Sequence, residues 1–93
     1  MIIYKYPLTI ADGHTVMMPE GARILSVAEQ SGVLCIWALV DETIEANVKN
    51  TFLIVGTGNP LSLTFLNNGK TTFIGTVVMT YGLVWHVFHD IGE

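Results

Sequence analysis

The chain has 93 residues, 51% of them hydrophobic and only 13% charged, with a net charge of −4. An average soluble domain is roughly 25% charged at similar apolar content, so this chain has ordinary core material and about half the usual charge. That composition excludes a disordered chain, more than one domain and, with Lys and Arg at 4 against 8 Asp and Glu, a basic nucleic-acid binder.

Residues 2–10 read as a strand, with Ile2, Tyr4, Tyr6, Leu8 and Ile10 on one face and Lys5 and Thr9 on the other. Asp12-Gly13 is a strong hairpin signal and separates this run from 14–18. Residues 23–31 fit a strand, because Ser31-Gly32 then closes a hairpin onto 33–40. Ile24, Leu25, Val27 and Ala28 also fit a helical stripe, which would begin a β-grasp-like α+β fold. Residues 33–40 are apolar on both faces, as a fully buried strand is. The charged segment 41–50 reads as an exposed loop rather than a short helix. Residues 51–57 are β-branched and aromatic.

Gly56-Thr57-Gly58-Asn59-Pro60 then forms a tight turn, and Leu61-Ser62-Leu63-Thr64-Phe65 resembles a strand more than a helix opening. In 72–80 the threonines, Ile74 and Val78 alternate with Phe73, Val77 and Met79. Tyr81-Gly82 turns the chain into 83–91. There Leu83, Trp85, Val87, His89 and Ile91 face one way, and Val84, His86, Phe88 and Asp90 the other. The expectation is one all-β domain over 1–93, a sandwich or barrel of about seven short antiparallel strands.

The lone cysteine, Cys35, lies in an apolar run and reads as a buried thiol in a reducing compartment. The N-terminus lacks the pattern of a signal peptide, so an intracellular setting is the expectation. Residues 71–89 lack Asp, Glu, Lys and Arg, yet they alternate like a strand rather than a membrane-spanning helix.

Few motifs carry chemistry. His86 and His89 have metal-binding spacing on a helix, but on a strand they point to opposite faces. Gly56, Thr57, Gly58 and Asn59 make a strand-end turn able to touch an anion or ligand, although neither a dinucleotide fingerprint nor a P-loop is present. Trp85 and Trp37 are core candidates, and at a partly exposed site either is an interface anchor or stacking platform. No nucleophile–base pair or paired acids can be assembled, so neither catalytic residues nor a metal or cofactor is expected. The best ligand- or partner-binding candidates are Gly56, Thr57, Gly58, Asn59, Trp85 and His86.

Several stretches taken in order carry a resemblance. They are Leu34-Cys35-Ile36-Trp37-Ala38-Leu39-Val40-Asp41, Ile54-Val55-Gly56-Thr57-Gly58-Asn59-Pro60 and Val84-Trp85-His86-Val87-Phe88, together with Met18-Pro19-Glu20-Gly21-Ala22 and Phe73-Ile74-Gly75-Thr76-Val77. With these the chain resembles a family of small uncharacterised proteins of bacteriophage and prophage genomes. That family often has His before the proline of the turn. Asn59 stands there in this chain, which weakens a metal or acid–base role. The resemblance implies an accessory protein that acts by binding in the host cytoplasm.

The expected function is therefore non-enzymatic: a homo-oligomer that binds a host protein, plausibly as an inhibitor of a defence system. Alternatives are a sequestering protein for a nucleotide-like small molecule and a small structural part of the virion. Nine of the twelve charged residues fall in 1–49, and only Lys70 falls in 50–89. The contact with a copy or a partner is therefore expected on strands 51–57, 71–80 and 83–89, with Thr76, Val78, Thr80, Val84 and Phe88 as the self-association surface, because uncharged faces lack the penalties that keep surfaces apart. Neither nucleic acid nor membrane is an expected partner.

Overall fold

The computed structural model describes residues 1–10, 14–62 and 69–90. Among these residues seven strands follow one another: β1 Ile2–Pro7, β2 His14–Met18, β3 Arg23–Gln30, β4 Val33–Val40, β5 Val48–Gly56, β6 Thr71–Val78 and β7 Val84–Asp90. They form a three-stranded sheet, β1-β4-β3, and a four-stranded sheet, β2-β5-β7-β6. Every pairing is antiparallel, and no helix occurs among the described residues. The fold is a small β-sandwich.

The Ser31-Gly32 step makes the β3–β4 hairpin. Ser31 has φ 51° and Gly32 φ 83°, the pair of positive values that matches the right-handed twist of the flanking strands. The segment 23–30 is therefore strand, not helix. Its one irregularity is a bulge between Ile24 and Ser26, which turns Leu25 out to solvent. β4 is the centre of its sheet. Its even residues Leu34, Ile36, Ala38 and Val40 are buried in the core, while Trp37 and Leu39 on the other face are partly covered. Cys35, also on that face, is buried.

The two sheets meet through these β4 side chains and Phe52, Ile54, Val77 and Val87 of the second sheet, with Leu8, Met18 and Met79 at the margins. At about 1.5–3 kcal/mol for each large apolar side chain fully buried, this cluster is the main source of stability. Burying it dictates the alternation along β5 and β7.

Three expectations are corrected. Residues 2–7 and 14–18 do not pair with each other: β1 joins β4 and β2 joins β5, so the connection between them crosses from one sheet to the other. The Asp12-Gly13 turn itself lies outside the described residues, as does most of 61–65. Second, β5 starts at Val48 rather than at residue 51, because Asn50 is buried and ladder-paired to Val16. Only 41–47 remains a loop, with Asp41 Oδ1 accepting the Thr43 N–H at 3.0 Å and its hydroxyl at 2.6 Å. Third, β6 carries a bulge between Phe73 and Gly75. The extra residue turns Ile74 onto the core and Phe73 onto the outer face opposite Phe88, reversing the expected alternation at that end.

The bulged strands β3 and β6 are edges of their respective sheets and lie against each other. A Cβ on Gly75 would stand 3.1 Å from Val27 Cγ1, so glycine permits this approach. No helix among the described residues is long and apolar enough to cross a membrane.

Candidate functional site

The outward-facing residues of the second sheet form rows across β6, β7 and β5, fixed by the strand register. Thr71, Asp90 and Thr51 make the first row. Phe73, Phe88 and Leu53 make the second, then Thr76, His86 and Val55, with Val78 and Val84 in the fourth. Asp90 in the first row is the only Asp, Glu, Lys or Arg in the four, and His86 in the third is the only other titratable group. Phe73 is 54% exposed and Val78 69% exposed. The Phe73 and Phe88 rings pack at a centroid distance of 5.3 Å. Contiguous exposed apolar groups of this kind mark interaction surfaces more often than isolated ones do.

His86 sits in the middle of this face, held at both ring nitrogens. Nε2 lies 2.7 Å from Thr57 Oγ1 and Nδ1 lies 2.9 Å from Thr76 Oγ1. In a neutral imidazole one hydroxyl donates and the other accepts. Neither nitrogen can take a metal without breaking one of these bonds.

His89 points the opposite way, into the sandwich. Its ring stacks on Phe52 at 4.9 Å. Asn50 Nδ2 donates to the Val48 carbonyl at 3.2 Å, which leaves Oδ1 to accept from His89 Nε2–H at 2.8 Å. Burial holds the His89 imidazole below its ordinary pKa, with the Asp90 carboxylate opposing that shift. The two histidines therefore do not converge. Among the described residues no three His, Cys, Asp or Glu side chains gather as a metal site would need.

The glycine turn forms one wall of a cleft at the end of the sandwich. Asn59 N–H donates to the Gly56 carbonyl at 3.1 Å, and Gly58 takes φ 90°, a value that favours glycine at this turn position. Across from it the chain turns again, with Gly82 N–H donating to Met79 O and Met79 N–H to Leu83 O. Between the turns lies a space of about 330 Å³ lined by Gly56, Thr57, Asn59, Leu83, Val84 and Trp85, with Gly82 at its rim. A Cβ at Gly56 would lie 3.0 Å from Asn59 Nδ2 and 3.3 Å from Trp85 Cζ3, so glycine lets amide and indole close over the strand. The indole N–H of Trp85 is buried without an acceptor among the described residues.

The expected binding residues thus divide. Gly56, Asn59 and Trp85 share the cleft, Thr57 touches both cleft and outer face, and His86 belongs to the outer face alone. Gly58 is the exposed tip of the turn. Of the expected self-association residues, Thr76, Val78, Val84 and Phe88 lie on the outer face. Thr80 lies beyond β6, where its backbone N–H and its hydroxyl each donate to Glu29 Oε1 at 2.7 Å. These two residues border a second cleft of about 480 Å³, shared with Ser31, Gly32 and Tyr81. Sequence reasoning missed this cleft. Its only signal was Glu29 at an inward position of an otherwise apolar strand face. Phe73 of the outer face was also missed, because the bulge is invisible to simple alternation.

A family model described as a domain of unknown function (DUF7352) matches residues 1–93, so the chain belongs to that family. Neither a curated protein nor a solved structure matches it.

Proposed function

We propose that this DUF7352 protein works by binding rather than by catalysis, and that the outer face of the second sheet takes a protein partner. The observation that carries this reading is the exposure of Phe73 and Val78 on a face whose last three rows hold no Asp, Glu, Lys or Arg, His86 being their single titratable side chain. Burying such a face removes apolar area from water at roughly 25 cal/mol per Å². It leaves few charges to desolvate. The resemblance to phage-encoded proteins supports a host protein as the partner, with inhibition of a defence component as the biological effect.

The test is affinity capture from host extract, with mass spectrometry of what is retained. The wild type is expected to hold a specific protein that Phe73→Lys releases at unchanged thermal stability. Equal retention by both, or by neither, overturns the reading.

The cleft supports a second reading. Asn59 offers an amide beside the Trp85 ring, which suits a small planar ligand such as a nucleobase. A ligand at 100 times its Kd adds about 2.7 kcal/mol of stability, so a thermal-shift panel of nucleotides decides it.

A further inference from the structure

β1 is an edge strand whose outward backbone groups at Ile3 and Lys5 pair with no strand among the described residues. Leu8 N–H donates to the Leu34 carbonyl at 2.8 Å, and Leu8 stands opposite Leu34 when the β1–β4 register is continued by one residue. Antiparallel pairs alternate in hydrogen bonding. Tyr6, Tyr4 and Ile2 therefore turn their backbone groups toward β4, and Pro7, Lys5 and Ile3 turn theirs outward. Pro7 fits that assignment, since proline lacks the N–H that would face the edge. Among the described residues no strand lies beside Ile3 and Lys5 on that side.

Proteins usually protect such an edge with charge, a bulge or a covering element. β3 and β6 carry bulges and face each other. Among the described residues β1 has neither a bulge nor a strand beside it, and its edge-facing Pro7 blocks pairing only at that end. Its single charge, Lys5, reaches back across the sheet, donating from Nζ to Gln30 Oε1 on β3 at 2.6 Å. The terminal ammonium is engaged by Glu42 at 3.3 Å. Ile2, Ile3 and Tyr4 remain 40%, 56% and 45% exposed.

We propose that β1 pairs antiparallel with β1 of a second copy of this chain across a twofold axis, joining two three-stranded sheets into one. The strand is complementary to itself in one register. With Tyr4 opposite Tyr4 of the second copy, Ile3 and Lys5 form reciprocal hydrogen-bonded pairs through their outward groups. On the core-side face, Ile2 then meets Tyr6 of the second copy and the two Tyr4 rings meet at the axis, the kind of aromatic and β-branched cross-strand pairs that stabilise sheets. On the other face each lysine stands opposite an isoleucine. A register two residues further along would set Lys5 against Lys5 and is disfavoured by like charge. The second-sheet face stays open to a different partner.

Sedimentation of the full chain tests this. The wild type is expected at twice the 10.2 kDa chain mass. Ile3→Pro removes only an edge-facing N–H and spares the bonds to β4, so it is expected at the single-chain mass. As a second measurement, Tyr4→Cys is expected to oxidise to a covalent dimer, because the two thiols would face each other at the axis, while Ile2→Cys stays largely uncrosslinked. That pair decides the question even if the proline variant fails to fold. A monomeric wild type, a dimer indifferent to Ile3→Pro, or equal crosslinking of both cysteine variants overturns the proposal. Each result is independent of whether any host protein binds.

Discussion

Glu29 Oε1 on β3 holds Thr80 twice, at 2.7 Å from its backbone N–H and 2.7 Å from its hydroxyl. One carboxylate oxygen thereby ties the edge of the first sheet to the turn that leaves β6. It also satisfies a backbone donor that the strand ladder cannot reach.

Removing that carboxylate is expected to loosen the joined edges. Bonds to charged groups contribute about 1.5–3 kcal/mol, and solvent access to this site reduces the figure to about 1 kcal/mol for Glu29→Ala. Glu29→Gln keeps an acceptor oxygen and is expected to lose less. Urea denaturation of the three proteins measures the order. An unchanged midpoint for Glu29→Ala would show that the tie contributes nothing.

Stability is expected to fall on mild acidification because of His89. Burial holds its folded pKa below the ordinary 6.5, so the unfolded chain takes up its proton first. The stabilising contribution is fully present above about pH 6.5 and is lost as pH falls from there through the lower folded value. The lowered pKa of Asp41, caused first by the Thr43 hydroxyl bond, acts at more acidic pH and is separable. Unfolding free energies across pH 5 to 8 measure the slope, which His89→Gln should flatten.

Gly56→Ala probes the cleft directly. The new Cβ meets the end of the Asn59 side chain and the Trp85 ring. The amide can swing aside but the indole cannot easily follow, so the cost is expected near the low end of overpacking, about 1 kcal/mol. Any nucleotide that raises the melting temperature of the wild type should no longer do so in this variant. A full shift retained in Gly56→Ala would place the ligand elsewhere.

Much of the fold was legible because burial on one face imposes a two-residue period. The strand from Val84 to Asp90 follows it, Val33 to Val40 reads as a strand from its continuous apolar run, and the Ser31-Gly32 turn announces its hairpin by residue type. Partner choice was not legible. Asp12-Gly13 suggested a local hairpin, whereas β1 finds its match at Val40 to Cys35, a contact that depends on how the two sheets share the core. The bulge at Ile74 was hidden for a related reason. It answers the close approach of Gly75 to Val27, which no local pattern records. At the site, the Gly56–Asn59 turn and Trp85 were found together, because turn glycines and a partly buried tryptophan are both visible in sequence. His86 was grouped with Trp85 as a binding candidate, although strand parity already sets the two side chains on opposite faces. The exposure of Phe73 does not follow from parity, since one extra residue reverses it.

The most direct test of the binding face is the affinity of Val78→Lys for whichever protein the wild type captures. Val78 is the most exposed large apolar side chain of that face, and a lysine there puts a charge into the contact without touching the core. Affinity is expected to fall by about 100-fold, or roughly 2.7 kcal/mol, with thermal stability and chain assembly unchanged. An affinity equal to that of the wild type would contradict the assignment of this face to the partner.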